Sequence, residues 1–240
     1  MDELQVIDGK RYAVTEKFGY NTVSFNKAKV DPATMEDMTK LWSDDSLKGR
    51  IAVYDYYLPV IGMVAMGLGK TTADLTAEDL PEIRDTLFKL KGNAALVSDV
   101  VSSQTALATG EVDVLVGGGE WVTAGLAADN PDLDWVLPEQ GGVRWSQSIG
   151  VFADSSRKDL AVEFVKHILS PEGQAALATS SCYWAMPANE AAGEKLNQQQ
   201  KTALRWEDQA EYLKASQLYP APDAELDAKM QDLWAEFLQH

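Results

Sequence analysis

Aromatic side chains set beside polar ones are the residues in this sequence best suited to chemistry. Tyr54-Asp55-Tyr56-Tyr57, Glu120-Trp121 and Arg144-Trp145-Ser146-Gln147 each read as turns near strand ends, and Cys182-Tyr183-Trp184 stands between two helices. Rings at helical or strand spacing are usually core, and Trp42, Trp206 and Trp234 read that way. Rings in turns just past strands have no such duty. A ring face attracts an ammonium or alkyl-amine by a cation–π contact of ~0.5–2 kcal/mol, and a neighbouring carboxylate adds a charge-assisted hydrogen bond. The chemistry this favours is recognition of a small cation.

Other chemistries find less support. His167 lies between Lys166 and Ile168 and His240 is the last residue, so neither sits by a Ser or Cys in a strand-turn-helix elbow. Cys182 is the single cysteine, which rules out an internal disulfide, and with two histidines a Cys/His zinc site cannot be assembled. Gly69-Lys70-Thr71 ends like a phosphate-binding loop, but Val64 stands where that loop needs its first glycine, and a helix C-cap explains the glycine better. Gly117-Gly118-Gly119 lacks the dinucleotide fingerprint, and Glu120 would put negative charge where a phosphate lies. That run is either a turn of close backbone approach or a place where a ligand touches the backbone. The expectation is a protein without catalytic residues, metal or cofactor.

The elements that must position these rings alternate. Arg11–Val14 and Thr22–Phe25 read as short strands joined by a turn at Gly19-Tyr20-Asn21. Asp31-Pro32 opens a helix bearing Met35, Met38, Leu41 and Trp42. Strands over 51–54, 94–97 and 112–116 alternate with helices, one spanning 58–68 and one starting at a capping-box-like Thr76-Ala-Glu-Asp79. Further strands follow at 135–137 and 146–152, then an amphipathic helix over 157–169 and a mostly helical remainder broken at Pro187, Gly193 and Pro220-Ala-Pro222. This is an α/β chain with a largely parallel sheet, in which ligands sit beyond the carboxyl ends of the strands. That rule selects the turns at 54–57 and 117–121 and the neighbourhood of Trp145.

The chain has 240 residues with 21 Lys+Arg against 37 Asp+Glu, a formal net charge of −16. Such an excess excludes a nucleic-acid partner, which needs a basic face, and suits a cationic one. No apolar run reaches the ~18–20 residues that span a bilayer. Met1 is followed by Asp2 and Glu3, unlike a basic signal-peptide start, so the chain reads either as cytosolic or as lacking its natural beginning.

Four features together resemble the spermidine/putrescine-binding proteins of bacterial ABC transporters, which belong to the extracellular solute-binding proteins. They are the string from Gly49 to Asp55, the block Gly110 to Asp113 before a glycine-rich turn, Pro138 to Gly142 with Trp145, and Tyr183 with Pro187 and Asn189. The resemblance runs from about Tyr12 to about Asn189. It implies a periplasmic-binding-protein type II α/β fold, mostly the second lobe with a remnant of the first. On that reading 1–26 is a remnant of lobe one and crossover, 27–145 lobe two, 146–185 a return segment of lobe one, and 186–240 C-terminal helices packing on lobe two. The resemblance further implies a periplasmic, monomeric protein that hands a small amine-type solute to a membrane permease. With the opening part of lobe one absent, weak or no solute binding by this chain is expected.

Carried across, Asp55 matches an acidic position contacting a ligand amine, Trp145 a tryptophan stacking on the alkyl chain, and Tyr183 a tyrosine of the cleft. Two departures matter: Gln147 stands where the polyamine binders have an aspartate, and Pro59 near where they carry a glutamate. Glu120 is the expected partial substitute. With fewer carboxylates to offset desolvation, the implied solute carries one positive charge or is zwitterionic. The candidate ligand-binding set is Tyr54, Asp55, Tyr56, Glu120, Trp121, Trp145, Gln147 and Tyr183. An enzyme or signalling module on the same two-lobe scaffold is the alternative.

Overall fold

The computed structural model describes residues 5–239. A small antiparallel pair, β1 (Val6–Ile7) and β2 (Lys10–Arg11), leads into β3 (Val14–Asn26), the long strand on which the rest is assembled. The chain from Lys17 to Phe25 is buried throughout β3, so both faces are covered. The turn expected at Gly19-Tyr20-Asn21 is therefore not formed. These three residues are extended and paired with Trp145, Arg144 and Val143, because tertiary pairing overrides the local preference of Gly and Asn.

The main sheet runs β10-β8-β3-β6-β4-β5, with β7 and β9 also paired to β3. Here β4 is Ile51–Tyr54, β5 Ala94–Ser98, β6 Val114–Gly118, β7 Leu133–Val136, β8 Val143–Ile149, β9 Met186–Pro187 and β10 Gln217–Leu218. Parallel pairing is confined to β4 with β5 and β6 and to β8 with β10; β3 is antiparallel to β6, β7, β8 and β9. The sheet is thus mixed rather than largely parallel. Helical crossovers, the usual way to join parallel strands, lead from β4 to its neighbour β5 and from β5 past β4 to β6.

Those crossovers are α3 (Tyr57–Gly67) and α4 (Leu80–Asn93), then α5 (Val100–Thr109). Every residue of α3 from Pro59 to Met66 is buried, which fits a helix apolar all round and enclosed on all sides. It ends in a Schellman cap: Gly69 has φ +77°, Lys70 N–H donates to Ala65 O at 2.9 Å and Gly69 N–H to Met66 O at 2.9 Å. Gly69-Lys70 is a C-cap and not a phosphate loop. The helix expected after Asp31 is split into α1 (Pro32–Met35) and α2 (Lys40–Ser43), because Asp37 accepts from both Thr39 N–H at 3.0 Å and Thr39 Oγ1–H at 2.8 Å and restarts the turn. Met35, Met38 and Leu41 still enter the core.

After the short α6 (Glu120–Thr123), the helices are α7 (Lys158–Leu169), α8 (Pro171–Ala178), α9 (Gln198–Ala203), α10 (Gln209–Ala215) and α11 (Ala224–Gln239). The last buries Met230, Leu233, Trp234 and Phe237 in the cluster that holds α3 and α4. Trp42 and Trp206 pack at the margins of two core clusters. By contrast α7 buries none of its residues, and Leu160 and Phe164 are exposed. Among the described residues no helix is long and apolar enough to cross a membrane.

Candidate functional site

The three parallel strands hand the chain to helices at one end of the sheet, and a cavity of about 380 Å³ lies there. From the end of β4 comes Tyr54, from the segment just after it Tyr56, from the first turns of α5 Val100 and Gln104, and from α6 Trp121. The opposite wall is Asn21 of β3 with Trp145, Ser146 and Gln147 of β8, closed by Cys182, Tyr183 and Tyr219. Trp145, Ser146 and Gln147 are in β8 itself, not in the turn expected for them.

Six of the eight residues expected to bind ligand meet here: Tyr54, Tyr56, Trp121, Trp145, Gln147 and Tyr183. Asp55 and Glu120 do not line the cavity. Successive side chains of an extended segment point to opposite faces, so with Tyr54 and Tyr56 turned inward, Asp55 faces away. Its carboxylate accepts from Trp234 Nε1–H at 2.7 Å and ties the end of β4 to α11. Glu120 is fully buried behind the wall.

The wall is built around a glycine. Gly19 pairs with Trp145, and a Cβ there would fall 1.7 Å from Glu120 Oε1 and 2.5 Å from Trp145 Cζ2. Only glycine leaves room for the indole and the carboxyl behind it. The Gly117–Gly119 run is likewise a close approach: a Cβ on Gly119 would meet Tyr20 O at 2.2 Å, and Ser24 Oγ accepts from Gly119 N–H at 2.8 Å.

The rings contact one another edge to face, except that Tyr54 and Trp121 are tilted at 58°. Tyr54 packs on Tyr56 (5.8 Å between centroids) and Trp121 (5.7 Å), Tyr56 on Tyr219 (5.8 Å), and Trp145 on Tyr183 (6.2 Å, 72°). Tyr183 already carries a cation: Lys17 Nζ sits 4.0 Å from its centroid. Tyr219 donates to Asn21 Oδ1, and Asn21 Nδ2 donates to Gly117 O at 2.8 Å, which fixes that amide. Burial raises the Tyr54 and Tyr219 phenols above their ordinary values, so both are neutral donors at neutral pH. Trp121 Nε1 is buried with no hydrogen-bond partner among the described residues.

Among the described residues no carboxylate lines the cavity. Among the described residues no cluster of His, Cys, Asp and Glu could hold a metal, and His167 is exposed on α7; His240 lies outside the described residues. Asn21, Gln104 and Tyr219 escaped the sequence reading. Asn21 was masked by its turn-like neighbours. Tyr219, directly before Pro220-Ala-Pro222, had a signal in that break, since a ring held beside a proline interruption is rarely helical core.

The model of the family described as bacterial extracellular solute-binding protein matches residues 5–205. The spermidine/putrescine-binding periplasmic protein of Escherichia coli (strain K12) is 25% identical over 163 residues, 67% of this chain and 45% of that protein. The chain thus spans a little under half the length of the curated relatives it matches. The spermidine/putrescine ABC transporter substrate-binding protein PotD from Streptococcus pneumoniae superposes with a TM-score of 0.81 at 22% identity, over 95% of this chain and 69% of that one. The protein MotA from A. tumefaciens B6, solved in complex with glucopine, gives 0.71 at 15% identity, over 99% and 75%. These likenesses bear out the α/β fold of the periplasmic-binding type.

Proposed function

The chain belongs to the bacterial extracellular solute-binding proteins, and from that premise we propose that it is the solute-binding component of an ABC importer for a small, singly charged or zwitterionic amine. The observation that carries this reading is the cavity lining: six aromatic rings, three amides and no carboxylate. A ring face offers a cation ~0.5–2 kcal/mol, enough in sum for one ammonium or quaternary nitrogen. A polyamine brings several charges, each costing several kcal/mol to strip of water, and this lining offers nothing ionised to compensate. In the proposal Trp145 and Tyr183 stack on the alkyl-ammonium part, Tyr54, Tyr56 and Trp121 close the opposite side, and Gln147 offers an amide. The solute is captured in the periplasm by a monomer and released to a membrane permease, with no bond made or broken.

A thermal-shift comparison at millimolar concentrations of choline, glycine betaine, putrescine and spermidine tests the reading. A ligand at ten times its Kd adds about 1.4 kcal/mol, or roughly 3–6 °C for a chain of this size. The expected order places a singly charged or zwitterionic compound above both polyamines. Greater protection by spermidine would contradict the charge argument. The cavity is lined from both the β4 and the β8 side within this chain, so binding is proposed in place of the weak or absent binding that the resemblance implied, and no shift with any amine would contradict the function.

A further inference from the structure

Glu120 opens α6 directly behind the cavity wall, with no exposed surface. Both of its carboxyl oxygens face the Tyr20 N–H, each at 3.2 Å, and Oε1 lies in the notch left by Gly19 against the edge of the Trp145 indole. Trp145 lines the cavity, and Glu120 does not. A carboxyl in such a seat is a charge kept close to the solute but out of its contact. Only two backbone N–H groups, its own and that of Tyr20, favour its charged form, while burial pushes its pKa well above the ordinary carboxylate range. Burial thus favours its neutral form relative to an exposed carboxyl.

We propose that Glu120 is the latent counter-charge of this site, a positioning residue acting through Trp145 that gives up its proton when a cation settles on the indole. The idea rests on the cavity being an amine site. On loading, the carboxyl O–H bond breaks, the proton passes to bulk buffer, and the carboxylate faces the solute cation across the ring. This arrangement reconciles a lining without carboxylates with a preference for cations: the charge exists only when something is there to balance it. The titratable groups that feel Glu120 are Tyr20 on β3 and Tyr219 after β10, and Tyr20 in turn has Arg144 of β8 and Tyr212 of α10 beside it. Further along the packed strands, Lys17 lies over Tyr183 and Asp134 of β7 pairs with Arg205. Burial pushes the Tyr20 and Tyr219 phenols upward, so neither changes charge in the range where Glu120 does.

The sign follows. The loaded site holds Glu120 at a lower pKa than the empty one, so affinity is least below both values and full above both. Between them it climbs with pH, by at most about tenfold per pH unit for one linked proton. Calorimetric titration of the whole chain with choline chloride, in pairs of buffers differing in ionisation enthalpy from about pH 5 to about pH 9, reads the proton count directly. Expected are buffer-dependent heats corresponding to proton release, together with an affinity that rises with pH. Glu120→Gln is expected to release no proton, to lose the pH dependence and to bind more weakly at high pH. Binding by the parent chain with the same heat in every buffer and a flat pH profile would overturn the proposal and leave the amine site intact, whether or not Glu120→Gln folds. No choline, betaine or polyamine binding at any pH would overturn the amine site and the counter-charge together.

Discussion

At the residue scale the site turns on what a single atom excludes. Gly19 is the clearest case, since its missing Cβ is the space shared by Trp145 and Glu120. Gly19→Ala is expected to force the indole or the carboxyl out of place and to cost ~1–3 kcal/mol as overpacking. Urea denaturation checks this, and an unchanged midpoint would show the wall to be looser than described. Tyr54 and Tyr56 were legible as lining a strand-end cavity because they stand at the end of a buried strand, and the same alternation that turns them inward turns Asp55 away. A matched position in the family carries no side-chain direction, which is why Asp55 could be expected in a cavity that it does not line. Glu120 escaped in the other sense: nothing in the string Gly119-Glu120-Trp121 says which of two polar-facing neighbours is sealed inside. That depends on Gly19, a hundred residues away in the chain.

At the scale of elements, the strongly patterned pieces were readable. The strand at 51–54, the all-apolar α3 and the crossover helices follow from hydrophobic period and caps, and they fix the strand ends where the cavity lies. What could not be read was pairing. Thirteen residues of β3 hold together because β8, β6, β7 and β9 flank them, and no local signal at Gly19-Tyr20-Asn21 records partners so distant. The same blindness placed Trp145 in a turn, although it sits in the middle of a strand opposite Gly19. The C-terminal helix α11 is an element whose role can be measured. Phe237 is fully buried and stacks on Trp234 at 4.7 Å, and Trp234 holds Asp55. Phe237→Ala is expected to cost ~3–5 kcal/mol by chemical denaturation. A loss under about 1 kcal/mol would mean that α11 is not integral to the core.

At the scale of the whole molecule, a net charge of −16 surrounds a cavity that contains no ionised acid. The long-range field draws cations toward the protein and weakens as salt screens it over a Debye length of ~10 Å at 0.1 M. In the proposed function the rings would supply the short-range hold, which divides attraction and recognition between surface and cavity. The central claim is that the Trp145 face is where the cation rests. The most direct test is the affinity of Trp145→Ala, by calorimetry, for whichever amine stabilises the parent chain best. The account predicts at least about tenfold weaker binding, the equivalent of ~1.4 kcal/mol, in a variant that remains folded. Unchanged affinity in that variant would contradict it.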